Sequence, residues 1–302
     1  MAFSRDIADY PDGIVLVVDK PWRWTSADVI RKLKYAAVKH FRKKNLKVGH
    51  AGTLDPLATG VLLVCIGPAC KRAQELQDHD KEYIATVRFG ATTPSYDLEK
   101  EVDRRYPFEH ITEESVREAL KGFIGEQEQV APLFSAKSVD GVRAYEMARR
   151  LYRSGRFAEI DAAALETLHR SRIVISEIEL LSFTPAAAQA SATGFSPGVG
   201  QNFFDKFGEK VLVRRGAGDA GAEIVSTASA RINVADTSGL GLPMARIRIV
   251  CSKGTYIRAF ARDLGEALGS GAHLGALQRT RSGDFSLSDA LSVESALQLF
   301  CP

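Results

Sequence analysis

Residues 49–60 read Gly49-His50-Ala51-Gly52-Thr53-Leu54-Asp55-Pro56-Leu57-Ala58-Thr59-Gly60. Three glycines, one carboxylate and one proline fall between a basic stretch and an apolar run. Glycine lets a backbone take conformations closed to other residues and come close to a ligand. Pro56 biases Asp55 away from helical geometry and stiffens the chain around it. A carboxylate on such a loop suits a nucleophile or a general base. The same residues suit a helix start, with Asp55 as N-cap and Pro56 at the first helical position. Spacing leaves both open.

Upstream, residues 13–18 (GIVLVV) are short and β-branched, which predicts a buried strand. A turn, DKPWRWTS, comes next, and Thr25 or Ser26 can cap a helix from Asp28 to about Lys39. Residues 31–47 carry Arg31, Lys32, Lys34, Lys39, Arg42, Lys43, Lys44 and Lys47 with no acidic residue. An unbalanced run of that kind is either a solvated helix face or a phosphate-contacting surface. Downstream, 61–66 reads as a second buried strand, 69–76 as a short helix and 81–90 (KEYIATVRFG) as an alternating strand. Thr112 opens a helix to about Phe123. Residues 171–183 and 244–251 alternate as strands, and a helix runs from the 252–258 stretch to Leu268, with Gly269 beyond it. Strands separated by amphipathic helices predict an α+β fold: a mixed, largely antiparallel sheet flanked by helices.

The chain has 302 residues, 45% hydrophobic and 25% charged, which describes an ordinary globular protein. A net charge of +3 argues only weakly for an anionic partner; the local basic runs argue better. Cys65, Cys70, Cys251 and Cys301 make no metal-finger spacing, and no metal is expected. Cys65 sits in an apolar run and reads as a buried free thiol, which fits a reducing cytosol. No apolar leader opens the chain, and its apolar runs are too short to span a bilayer, so a cytoplasmic protein away from membranes is expected.

GHAGTLDPLATG resembles the catalytic motif of the bacterial TruB family of tRNA pseudouridine synthases. The resemblance implies that Asp55 is the catalytic carboxylate. KEYIATVRFGATTPSYD is similar to the family's second motif, in which Tyr83 would pack against the target base; plain core is the alternative for an aromatic on a strand. CSKGTYIRAFARDLGEALGSGAHLGALQRTRSGDF is similar to the third, where Arg258 would pair with the catalytic aspartate and Tyr256 and Leu277 would line the uridine pocket. EQVAPLFSAKSVDGVRAYEMARRLYRSG resembles the family's mobile, basic RNA-gripping element, with Ala131 where proline is more usual. Lys20 opens the family's Lys-Pro turn and would reach RNA or cap structure. Arg23 replaces a glycine there, and Gln278 replaces an arginine. His50 would stack on RNA or bond within its own loop.

Residues 186–242 are rich in Ala, Gly and Ser, while the family joins the flanking strands directly. They are expected to form a mobile insertion, dispensable for chemistry, with short strands at 210–214 and 223–225. The rest is expected to be one catalytic domain. Seventeen residues follow Phe285, too few for the RNA-binding PUA domain that many family members carry.

The implied activity is conversion of the T-loop uridine, position 55 in tRNA numbering, to pseudouridine. The base must be flipped out of its stack and its glycosidic bond cleaved and remade through C5. No cofactor is implied. The partner would be the T stem-loop of tRNA, with no protein partner, and the protein a monomer. One alternative is an RNA-binding or tRNA-folding protein whose catalysis is secondary or lost; retention of Asp55, Tyr83 and Arg258 together speaks against loss. Another is a glycoside or nucleoside hydrolase, disfavoured by the basic runs and by the lack of a second well-placed acid near Asp55.

Overall fold

The computed structural model describes residues 3–139, 141–156, 159–187, 232 and 234–300. Among these, one large sheet runs in the order β1 (Ile14–Lys20), β3 (Ala58–Ile66), β12 (Ala272–Ser282), β4 (Lys81–Phe89), β11 (Met244–Cys251), β10 (Ser171–Thr184), β7 (Gly125–Gln129). Two short strands join it at the side: β2 (Val48–His50) on β3 and β13 (Phe285–Ser286) on β12. Two small hairpins, β5–β6 (Ala91–Thr92, Arg104–Arg105) and β8–β9 (Ser138–Val139, Val142–Arg143), lie outside it. Every pairing is antiparallel except β3 with β12. The helices are α1 (Ser26–His40), α2 (Ala73–Asp78), α3 (Glu113–Lys121), α4 (Ala144–Arg153), α5 (Glu159–Thr167), α6 (Ile257–Ala267) and α7 (Val293–Gln298). The fold is the α+β arrangement that the patterning predicts. Among the described residues no helix is long and apolar enough to cross a membrane.

β3 shows why its sequence is continuously apolar. Leu62, Val64 and Ile66 face the main core with Val29, Leu33 and Ala37 of α1. Val61, Leu63 and Cys65 face a second layer with Ala51, Ala69 and Leu76. Both faces are covered, so alternation disappears. Each such fully buried aliphatic side chain contributes roughly 1.5–3 kcal/mol relative to exposure. Ala51 belongs to that second layer, so the first residues of the Gly-rich loop are fixed by packing.

α1 starts two residues earlier than the pattern suggests, because Thr25 is the cap. Its hydroxyl accepts from Asp28 N at 3.1 Å, and the Asp28 carboxylate accepts from Thr25 N at 3.0 Å. In α3 the hydroxyl of Ser115 completes the same reciprocal box with Thr112. Where a short helix is expected at 69–76, a 3-10 turn over Gly67–Arg72 leads into α2.

The parallel contact pairs Leu277 with Ala58, Gln278 with Thr59 and Arg279 with Gly60. Gly60 has φ +101°, and a Cβ there would lie 2.2 Å from the Arg279 carbonyl oxygen, so only glycine lets the two strands meet. Register irregularities bracket this stretch of β12, between Leu274 and Ala276 and between Arg279 and Arg281. Such bulges bend a strand and re-aim its side chains.

A second, smaller core lies off the sheet. Val130, Ala131, Leu133 and Phe134 pack with Ala144 and Ala148 of α4 and Ile160 and Ala164 of α5. The lobe expected to grip RNA therefore has packing of its own, and Ala131 is buried in it.

The expected insertion is described only at its ends, and the strands expected at 210–214 and 223–225 lie outside the described residues. The described ends pack on the fold. Ala187 N donates to Gly241 O at 3.1 Å, and Ala235 N donates to Leu98 O at 2.8 Å.

Candidate active site

No helix follows Asp55. Ala58 N donates to the Asp55 carbonyl at 3.1 Å in a turn that leads straight into β3, so the helix-cap reading of this residue falls. Three polar side chains hold the loop instead. The Ser26 hydroxyl accepts from Leu54 N at 2.9 Å and donates to Leu54 O at 3.1 Å. The Lys20 ammonium donates to Trp24 O at 2.6 Å, Pro21 O at 3.0 Å and Pro56 O at 3.3 Å. The Arg279 guanidinium donates to Val61 O at 2.7 Å and Gly52 O at 3.1 Å.

This corrects the expectation that Lys20 touches RNA. It is fully buried, and three carbonyls take its three N–H donors. Burial pulls the ammonium down to about 7, against the charges of Asp55 and Asp19. Lys20 positions the Asp55 turn. Arg279 likewise lies buried beneath the loop. Hydrogen bonding of this kind leaves no periodic trace, so sequence reading had no means of finding it.

The centre of the site is an ion pair. Arg258 Nε donates to Asp55 Oδ2 at 2.9 Å and Nη2 donates to Oδ1 at 2.9 Å, a two-pronged geometry. Nη1 donates to Ser95 O at 3.1 Å. The Arg258 side chain is 5% exposed and that of Asp55 35%, so the arginine forms the floor and the carboxylate faces the opening. Burial alone would lower the guanidinium; the Asp55 and Asp97 carboxylates hold it above its ordinary value.

Asp97 is a second carboxylate in the site, which corrects the expectation that no second acid lies near Asp55. Its Oδ2 lies 3.7 Å from Arg258 Nε, while its Oδ1 accepts from Ser95 Oγ at 2.6 Å and Glu99 N at 2.9 Å. Burial pushes this carboxyl up to about 6, against the pull of Arg258. A raised carboxyl makes the folded chain hold more protons than the unfolded one between pH 3.8 and about 6, so its contribution to stability falls as pH rises through that window. Below about pH 6 Asp97 is neutral, and Arg258 loses one of the two carboxylates that orient it. The single-turnover rate should therefore fall on the acid side with an apparent pKa near 6. Asp97→Asn should lower the rate about tenfold and flatten that limb. An unchanged acid limb in the variant would remove Asp97 from the rate.

Asp55, Arg258 and Leu277 line one cavity, together with Trp22, Leu57, Asp97, Leu98 and Val234. Tyr83 lies on β4 opposite Arg279, nearly buried. Burial raises its phenol, and the Asp55 charge reaches it. Tyr256 caps α6 and packs against the small lobe. Its N–H donates to Gln129 Oε1 at 2.8 Å, and its phenol is raised by burial within range of Arg258 and Asp55. His50 ends β2 with Nδ1 buried and without a hydrogen-bond partner; burial, then Arg279, lowers its imidazole. His50 is therefore neutral at pH 7, suited to stacking rather than to holding phosphate. Trp22 and Val234 escaped sequence reading because they come from a turn and from the expected insertion.

Of the basic groups, Arg31, Lys34, Lys39, Arg42, Lys43, Lys44 and Lys47 are exposed, as are Arg149, Arg150, Arg153 and Arg156 on the lobe. Lys137 is not among them: its ammonium donates inward to Ser171 Oγ at 2.6 Å and His169 O at 3.2 Å.

A family model described as "TruB family pseudouridylate synthase (N terminal domain)" matches residues 39–193, and one described as "tRNA pseudouridylate synthase B C-terminal domain" matches residues 258–300. The chain is 46% identical over 287 residues to tRNA pseudouridine synthase B of Phocaeicola vulgatus, covering 95% of this chain and 93% of that protein. It is 37% identical over 294 residues to tRNA pseudouridine synthase B of Flavobacterium johnsoniae, covering 96% and 98%. Among solved structures it is similar to a Cbf5–Nop10–Gar1 complex, at TM-score 0.55 and 21% identity over 97% of this chain and 56% of that one. An archaeal box H/ACA Nop10–Cbf5 complex matches at TM-score 0.52 and 20% identity over 98% and 57%. At that identity the structural likeness speaks for the fold alone.

Proposed function

Because the chain belongs to the TruB family of pseudouridylate synthases, we propose that it converts uridine 55 in the T-loop of tRNA to pseudouridine, with Asp55 as the group that starts the reaction. The observation that carries this reading is the Asp55–Arg258 pair at the floor of a cavity walled by Trp22, Leu57 and Leu277. The reaction breaks N1–C1′, turns the uracil and forms C5–C1′. C5 loses a proton and N1 gains one, so atoms balance without any oxidant or reductant. An ionised carboxylate suits attack on carbon, or stabilisation of a cationic sugar, when the bond breaks. Arg258 holds both oxygens of Asp55 in one direction through two parallel hydrogen bonds. The flipped base would lie over Leu277, with Tyr83 and Tyr256 beside it and His50 toward the RNA.

The protein would act on tRNA as a monomer without a protein partner. The exposed cations of 31–47 and of the small lobe would hold phosphates on either side of the cavity. Each neutralised phosphate releases counterions and adds about 0.9 to the slope of log affinity against log salt. Lys43→Glu with Lys44→Glu should thus weaken tRNA binding and flatten that slope by about 2. An unchanged slope would take this surface out of the RNA contact. The central test is incubation with an unmodified tRNA transcript and then chemical mapping of pseudouridine. One modified site, in the T-loop, is the expected result; modification elsewhere or none would overturn the reading.

A further inference from the structure

Two features singled out in the sequence meet in space. Arg23, read there as replacing a glycine, keeps a left-handed backbone at φ +63°. That conformation is unfavourable for a residue with a Cβ and persists where its surroundings enforce it. Its side chain reaches the end of the expected insertion: Nη2 donates to Ile232 O at 2.7 Å, and the guanidinium stacks 5.6 Å from the Trp22 ring. Residues 234–237 are held against the fold beside the cavity. Ala235 N donates to Leu98 O at 2.8 Å, and Thr237, itself buried, accepts from the buried Arg88 guanidinium. Between these anchors Val234 lines the same cavity as Asp55, Arg258 and Leu277.

We propose that the segment carrying Ile232, Val234, Ala235 and Thr237 is a fixed wall of the substrate pocket, with Val234 the side chain that bears on the target nucleoside. The proposal rests on the reading of this cavity as the uridine pocket. Anchors on three separate parts of the fold, two of them buried, fix this segment against the cavity. Asp55 and Arg258 supply charge to the lining; Val234 adds a branched aliphatic group that excludes water and limits how far the base and ribose can swing. Among the described residues of 186–242, those from Ile232 on have this role, so the expected dispensability of the insertion ends there.

The test compares single-turnover rate and tRNA dissociation constant on an unmodified transcript. Val234→Gly should slow the chemical step about tenfold, as a loosened near-attack geometry does, with tRNA affinity within about twofold because phosphate contacts lie elsewhere. Arg23→Gly should slow it about threefold with the same split, by freeing Ile232. Val234→Ile should recover most of the rate lost in Val234→Gly. A Val234→Gly protein as fast as wild type, or faster, would overturn the proposal, as would a loss seen only in affinity. If wild type itself yields no pseudouridine, the uridine reading of the pocket falls and this inference with it; if wild type is active and Val234→Gly is unchanged, this inference alone falls.

Discussion

Asp55→Asn should abolish detectable pseudouridine formation, a loss of at least ~10^4-fold in single-turnover rate or about 5.5 kcal/mol of transition-state stabilisation. Asparagine keeps the size of the side chain and one acceptor oxygen. It removes the negative charge and sets an amide N–H against Arg258, where an oxygen now accepts at 2.9 Å. The tRNA dissociation constant should stay within about threefold, because the exposed cations of 42–44 and of the small lobe are untouched. Circular dichroism would show that the variant folds. As a helix cap, asparagine would replace aspartate almost without loss, but the turn at Ala58 already excludes that role. Turnover near the wild-type rate by the Asn protein would overturn the mechanism. Loss of both turnover and binding would place Asp55 in the RNA grip instead.

The sheet was legible because its strands carry their own signal. Residues 81–89 alternate, and 61–66 are apolar throughout because both faces of β3 are covered. The ends were less legible. Thr25 takes the cap that the sequence shared between Thr25 and Ser26, which frees Ser26 to clamp Leu54 across 28 positions of chain. No local pattern announces a hydrogen bond of that span.

The site divides in the same way. Asp55, Arg258 and Leu277 were legible through motifs, and they do share a cavity. Lys20 and Arg279 look in the sequence like any other cations near a basic protein's ligand. Their burial under the Asp55 loop depends on carbonyls supplied by Pro21, Trp24, Pro56, Gly52 and Val61. Backbone acceptors have no side-chain identity to read. Asp97 was visible as a residue but not as a partner, because its 3.7 Å approach to Arg258 arises only when α6 and the 93–97 turn come together. Val234 was hidden for a different reason: composition assigned its whole neighbourhood to mobility, while contacts from Arg23, Leu98 and Arg88 decide its end.

Arg258→Lys should cost ~10^2- to 10^3-fold in single-turnover rate, about 3–4 kcal/mol, while charge is conserved. The arginine makes three directed bonds from one plane: Nε and Nη2 to the two oxygens of Asp55, and Nη1 to Ser95 O. A lysine ammonium is a single point at the end of a flexible stem and cannot reproduce that fork. Whichever acceptor it chooses, another is left short. Ser95 is fully buried, and a buried carbonyl deprived of its donor costs about 1–3 kcal/mol. The carboxylate of Asp55 would lose its fixed direction beside the ammonium, and a misplacement of about 1 Å at a reacting group is enough for ~10^2-fold. Affinity for tRNA should change little, since Arg258 is 5% exposed and its donors are taken up by Asp55 and Ser95. If the pair acts as a unit, the double variant Asp55→Asn/Arg258→Lys should be scarcely worse than Asp55→Asn alone, because the lysine removes an orientation that no longer matters. Additive losses in that cycle, or a lysine variant within about threefold of wild type, would show that Arg258 supports the fold while Asp55 takes its direction from elsewhere in the loop.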